Sequence, residues 1–250
     1  MRTMIFARRN LKEVLRDPVS YIFCLGFPVG MLVLMSVINS NIPNEAGVKL
    51  FEIENLSCGV AVFSLTFTTL CAAMLVSKDR TGAFMQRMFI SPMRAVDFLL
   101  GYALPLVSVA VIQVLITFVV AVAISFIIGG SLAFWGVLLS MAVLLPSAVF
   151  FVFAGVALGF LLSDKSAPPV CSIMVTAGGL LGGIWLDPHA AGEWFVAICR
   201  VLPFYNAVEA ARSAVSRDLG GILLPLGIII AYVAAALAAS VITIRVKKKS

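Results

Sequence analysis

Charge is scarce in this chain. Asp, Glu, Lys and Arg make up 12% of its residues, against about 25% in a soluble domain, which excludes a water-soluble globule as the main architecture. Histidine occurs once, at His189, so no metal site can be built on histidines alone. The five cysteines (Cys24, Cys58, Cys71, Cys171 and Cys199) form no CxxC pair, and they read as small buried hydrophobes. No GxxxxGK[ST] loop is present, so nothing here cradles a nucleotide phosphate. The first twenty residues carry charge throughout and lack an apolar core. That pattern argues against a cleaved signal peptide, and the first apolar run is expected to serve as an uncleaved targeting signal. The apolar runs also lack a central Lys, Arg, Asp, Glu or His. Secondary carriers and proton relays usually keep one there, although Na⁺ coupling through backbone carbonyls stays open. An intramembrane serine protease would need a base beside its nucleophile, and the one histidine lies outside the apolar runs.

What the chain has is apolar length. Hydrophobic residues make up 62% of it, with a mean hydropathy of +1.10. A span takes about 20 apolar residues. Six runs qualify: 21–38, 56–76, 98–128, 132–162, 170–186 and 222–244. The expected fold is an all-α integral membrane protein, one domain over 1–250 with six transmembrane helices. Pro105 and Pro146 are expected to kink the third and fourth, which are longer than a bilayer requires. Gly129, Gly130 and Ser131 mark a tight turn between them.

The basic residues set the orientation. With the N-terminus inside, fourteen Lys and Arg residues fall on the cytoplasmic side and four outside. The positive-inside rule therefore places both termini in the cytoplasm of a plasma membrane. The net charge of +6 is a topology signal on this reading and does not point to nucleic acid.

Three segments outside the spans carry structure of their own. Residues 1–18 place Met4, Ala7, Leu11, Val14 and Leu15 at helical spacing, with Arg8, Arg9, Lys12 and Arg16 on the other side. Asp17-Pro18 then breaks the helix. This reads as an interfacial helix on the inner leaflet. Residues 78–93, within "SKDRTGAFMQRMFISPM", form a basic cytoplasmic island. Phe84, Met85, Met88 and Phe89 make one apolar face of a short helix ended by Ser91-Pro92, and Arg80 and Arg87 lie on another. Such a helix suits either an anionic lipid surface or a partner's groove. Residues 187–221 are moderately apolar and divided at Pro203 into two pieces, each too short to span. They are expected to re-enter the outer face of the membrane. Trp194, Phe195, Phe204 and Tyr205 suit an interfacial aromatic belt or a lid over an outward exit. Within the spans, Gln113 is expected to make an inter-helix hydrogen bond. Gly155 and Gly159, Gly178 and Gly182, and Gly179 and Gly183 have the spacing that lets helices approach closely.

Taken in order, these segments resemble the membrane subunit of a type-2 ATP-binding-cassette (ABC) exporter, most closely the drug- and antibiotic-resistance permeases. "RRNLKEVLRDPVSYIF" is similar to that family's elbow helix, "SKDRTGAFMQRMFISPM" to its coupling helix, and "LPFYNAVEAARSAV" to the helix before its last span. Within the coupling helix, Asp79-Arg80 resembles the family's acid–base pair, Arg87-Met88 its Arg-Leu element and Ser91-Pro92 its terminal Ser/Thr-Pro. Gly82-Ala83 departs from the usual Gly-Thr. The resemblance implies a non-catalytic permease that binds no cofactor, energised by a separate ATPase subunit holding ATP and Mg²⁺. It also implies a second permease subunit, identical or different. Asp79, Arg80, Phe84, Met85, Arg87, Met88 and Phe89 would then couple to the ATPase. The expected cargo is a small amphipathic drug, antibiotic or peptide. Export of a polysaccharide or lipid-linked glycan is the alternative within the superfamily, and a non-transporting immunity or sensor protein is the alternative outside it.

Overall fold

A computed structural model describes residues 2–18, 22–41, 51–82, 95–130 and 132–249. Among the described residues every regular element is helical. In chain order the α-helices are α1 (Arg2–Val14), α2 (Phe27–Ser40), α3 (Ile53–Thr81), α4 (Ala95–Ile128), α5 (Phe134–Leu161), α6 (Ala167–Leu181), α7 (Glu193–Val201), α8 (Pro203–Val215) and α9 (Leu219–Lys249). A π-helical turn, Ile22–Gly26, leads into α2, and a 3₁₀ turn, Pro188–Ala191, precedes α7.

Among the described residues four helices are long and apolar enough to cross a bilayer: α3, α4, α5 and α9. Cys24–Ser40 and Ala167–Leu181 are apolar but shorter. Both carry breakers at their ends. Pro28 sits in the first turn of α2, behind the π turn. Pro168 and Pro169 open α6, and Gly183, at φ +66°, follows its end. The fifteen residues of α6 span only about 22 Å. Pro105, Pro146 and Pro225 lie inside continuous helices.

The core is the seam between α3 and α5. The apolar stretch of α3 is 83% buried, against 17% for that of α9, so α3 is the central helix and α9 lies at the rim. Gly155 and Gly159 allow the close approach. A Cβ on Gly159 would lie 2.6 Å from Val76 Cβ, and one on Gly155 would meet the Thr69 backbone. This GxxxG pair thus packs helices within the chain. The α4–α5 turn closes through Gly129, at φ +78°, while the Gly130 N–H donates to the Ser125 carbonyl at 2.8 Å. That left-handed position is open to glycine at little cost. Large apolar side chains point outward, with Phe126 and Ile127 more than 80% exposed. In water such a surface is a liability, whereas lipid or a second subunit covers it.

Candidate functional site

The segment of greatest interest in the sequence is the basic island. Phe84, Met85, Arg87, Met88 and Phe89 lie outside the described residues, and so do the loop's Ser91 and Pro92. Its two roots, the end of α3 and the start of α4, are described in detail.

With 29 residues, α3 is about 43 Å long, which exceeds the roughly 30 Å hydrocarbon layer. Its last turns carry its charged residues, Lys78, Asp79 and Arg80. There Asp79 continues the buried stripe of Ala72 and Val76 and is only 5% exposed. A buried carboxylate needs partners, and it has three bonds. Arg9 Nη1 and Nη2 donate to its two oxygens at 2.6 and 2.8 Å, and the Tyr102 hydroxyl donates at 2.8 Å. The bond to Asp79 raises the Arg9 pKa above its ordinary value, against the opposing effect of burial. Glu13 accepts from Arg9 at 2.7 Å and from Lys78 at 3.5 Å. One network of ion pairs and hydrogen bonds thus joins α1, α3 and α4.

Apolar contacts reinforce it. On α1, Phe6, Ala7, Asn10 and Val14 are buried. The Phe6 ring stands edge-on to Tyr102 at 4.9 Å and to Phe98 at 6.2 Å. It covers Gly101, where a Cβ would overlap the ring. Asn10 Nδ2 donates to the Gly101 carbonyl at 3.0 Å, and Thr3 Oγ1 to Asp97 at 2.9 Å. Helix α1 is therefore docked on the bundle through one face. Met4, Ile5 and Leu15 stay exposed, as do Arg8, Lys12 and Arg16.

Arg80 completes the node. Its guanidinium donates to the Phe160 carbonyl and, at 2.8 Å, to the Leu162 carbonyl. These are among the orphan acceptors at the C-terminus of α5, where a cation is also favoured by the helix dipole. The roots of the island are thus tied to α1 through Arg9 and Asp97, and to α5 through Arg80.

Two further polar sites lie deeper. Gln113 is 1% exposed. It accepts from Thr68 at 2.6 Å and donates to the Cys24 carbonyl at 2.8 Å, so it ties α4 to α3 and to the π turn. The second site is the corner between α7 and α8. Asn206 Nδ2 donates to the Arg200 and Leu202 carbonyls at 2.8 and 2.7 Å. The Tyr232 hydroxyl on α9 donates to the Val201 carbonyl at 2.9 Å, and Arg212 to the Gly183 carbonyl at 2.9 Å. The four aromatic residues of this region separate. Phe204 and Tyr205 are buried, with Phe204 against Phe151 at 5.8 Å. Trp194 is 68% exposed and packs edge-on to Phe195 at 5.6 Å.

Tyr102, Asn10, Asp97, Asn206 and Thr68 carry these contacts without standing out in the sequence. Asp79 had a signal: it falls three and seven residues after Val76 and Ala72, on the face of α3 that is buried. Among the described residues no cluster of three metal-ligating side chains occurs.

A family model described as "ABC-2 type transporter" matches residues 1–215, from the first helix to the end of α8. No curated protein is significantly similar to the chain.

Proposed function

The chain belongs to the ABC-2 type transporter family, and from that premise we propose that it is the permease subunit of an ATP-driven exporter in the cell membrane. In this proposal α2 and α6 complete a set of six spans with α3, α4, α5 and α9. Both termini face the cytoplasm, on the strength of the fourteen-to-four division of basic residues. The chain itself catalyses nothing. A separate ABC ATPase binds ATP and Mg²⁺ and receives Phe84, Met85, Met88 and Phe89 in a groove, with Arg87 at the rim. A second permease faces the first. The cargo is a small amphipathic drug, antibiotic or peptide, in keeping with an apolar interior that lacks central charge.

The observation that carries this reading is the node at the root of the island. A loop that only rested on lipid would not need to be tied to α1, α4 and α5 by a buried ion pair and a capping arginine. A loop that receives force does. Asp79 and Arg80 act in this reading as transmitters behind the docking surface. On the opposite side, α7 and α8 dip into the outer face. Phe204 and Tyr205 seat them in the core, and Trp194 and Phe195 mark the lipid boundary.

The test is affinity purification of the tagged, full-length permease from its native membrane. The expected result is recovery of an ABC-type ATPase in stoichiometric amount and cargo movement only when ATP is hydrolysed. A permease that comes away alone from membranes containing every candidate ATPase would contradict the proposal. Orientation is checked by cysteine labelling of intact cells: position 45 should react from outside and position 250 should not.

A further inference from the structure

Between α1 and the lower part of α3 runs a groove of about 1050 Å³, at the upper end of small-ligand pockets, which run to roughly 1,000 Å³. One wall is apolar and includes Leu70, Met74 and Leu75 of α3. The opposite wall is the exposed side of α1. Five cations line the groove, against the three carboxylates Glu13, Asp17 and Asp164. Arg9 and Lys78 are engaged by Asp79 and Glu13. Arg8, Lys12 and Arg16 make no ion pair among the described residues. They follow one another at intervals of four and so form one stripe of α1. Like charges at that spacing repel and weaken a helix. An anion placed against the stripe relieves that repulsion.

We infer that this groove binds one anionic phospholipid from the leaflet that α1 borders, with its phosphate at Arg8, Lys12 and Arg16 and its acyl chains along Leu70, Met74 and Leu75. Charge complementarity selects the headgroup, since each Lys or Arg beside an anionic headgroup attracts it. The apolar wall selects a lipid over a soluble phosphate or an acidic peptide. It belongs to a helix long and apolar enough to cross the bilayer, so it continues into the hydrocarbon. This differs from adsorption of a helix flat on the membrane. Phe6, Ala7 and Asn10 already face protein, so the face of α1 beside the groove is left for a discrete ligand. The inference stands independently of what the permease transports.

The experiment uses the full-length permease in nanodiscs of equal parts dioleoylphosphatidylglycerol and dioleoylphosphatidylcholine, followed by release and native mass spectrometry. The wild-type chain should retain one phosphatidylglycerol in preference to phosphatidylcholine. Each Lys or Arg near an anionic surface strengthens binding about fivefold. The triple variant Arg8→Gln, Lys12→Gln, Arg16→Gln should therefore reduce retention on the order of tenfold or more. Arg8→Lys with Arg16→Lys should keep most of it. Met74→Trp fills the apolar wall with every charge intact and should also lose the lipid. Equal retention of the two lipids, full retention by the triple variant, or full retention by Met74→Trp would each overturn the inference. So would a wild-type chain that carries another anionic amphiphile in place of phosphatidylglycerol, since the groove would then hold cargo.

Discussion

Replacing Asp79 with asparagine removes the charge at the centre of the node while keeping its shape. The carboxylate accepts two hydrogen bonds from Arg9 and one from Tyr102. Asparagine retains one oxygen, and its amide nitrogen then faces a donor. Breaking a fully buried ion pair costs about 3–5 kcal/mol. The loss here should be smaller, about 2–3 kcal/mol, because the Arg9 side chain is 36% exposed and keeps Glu13 at 2.7 Å. Arg9→Gln leaves the buried Asp79 carboxylate with the Tyr102 hydroxyl as its remaining charge-neutral donor and should cost at least as much, about 3 kcal/mol. The two changes remove one interaction, so in the double variant they should fall short of additivity by about 1–2 kcal/mol. The assay is reversible unfolding of the purified permease in mixed micelles, followed by tryptophan fluorescence with Trp135 and Trp194 replaced by Phe, so that the signal is that of Trp185, which packs edge-on to Phe63 at 5.4 Å. Hydrogen exchange supplies the local readout: α1 amides should exchange faster in Asp79→Asn, with α5 unchanged. Additivity within about 0.5 kcal/mol, or unaltered protection of α1, would refute the claim that this pair holds α1 on the bundle.

Three other outcomes follow from single contacts. Gly101→Leu should displace Phe6 and raise hydrogen exchange along α1 as Asp79→Asn does, because a side chain there overlaps the ring. Gln113→Leu strands the Cys24 carbonyl and should lower unfolding stability by about 0.5–2 kcal/mol, measured in the same micelles. Arg80→Ala frees the carbonyls of Phe160 and Leu162 and should cost about 1–2 kcal/mol. That loss should hardly change with salt, whereas weakened ATPase docking that salt abolishes would place Arg80 at a rim.

How legible was this in the sequence? The long helices were, because hydropathy writes a span plainly: runs 56–76, 98–128, 132–162 and 222–244 overlap α3, α4, α5 and α9. The two shorter apolar helices were harder. Hydropathy runs on through Pro168, Pro169 and Gly183, while the backbone does not, so 170–186 yields a helix that ends at Leu181. On α1 the outcome was mixed. Its amphipathic spacing is evident, but the buried face includes Phe6 and Asn10, and Leu15 is left exposed. A wheel of hydrophobicity cannot separate a face that meets lipid from one that meets protein. Asn10 is buried because Gly101 offers a bare carbonyl, a long-range fact. Asp79 and Arg80 read together as an acid–base pair, yet they point to different helices. Adjacent helical positions lie about 100° apart, so one reaches Arg9 and Tyr102 and the other the end of α5. The corner at Pro203 was visible as a break, whereas its fastening by Asn206 and Tyr232 depends on partners distant in sequence.

The central claim is that the island between α3 and α4 receives force from a separate ATPase. The direct measurement is the amount of ATPase co-purified with Phe84→Asp, Met88→Asp and Phe89→Asp permeases at matched membrane levels, together with ATP-driven export. A charge in a docking groove has no partner, and losing an aromatic anchor costs about 2 kcal/mol or more. The account predicts that at least Phe89→Asp reaches the membrane normally, loses the ATPase and exports nothing. Normal ATPase recovery and normal export in all three variants would contradict it.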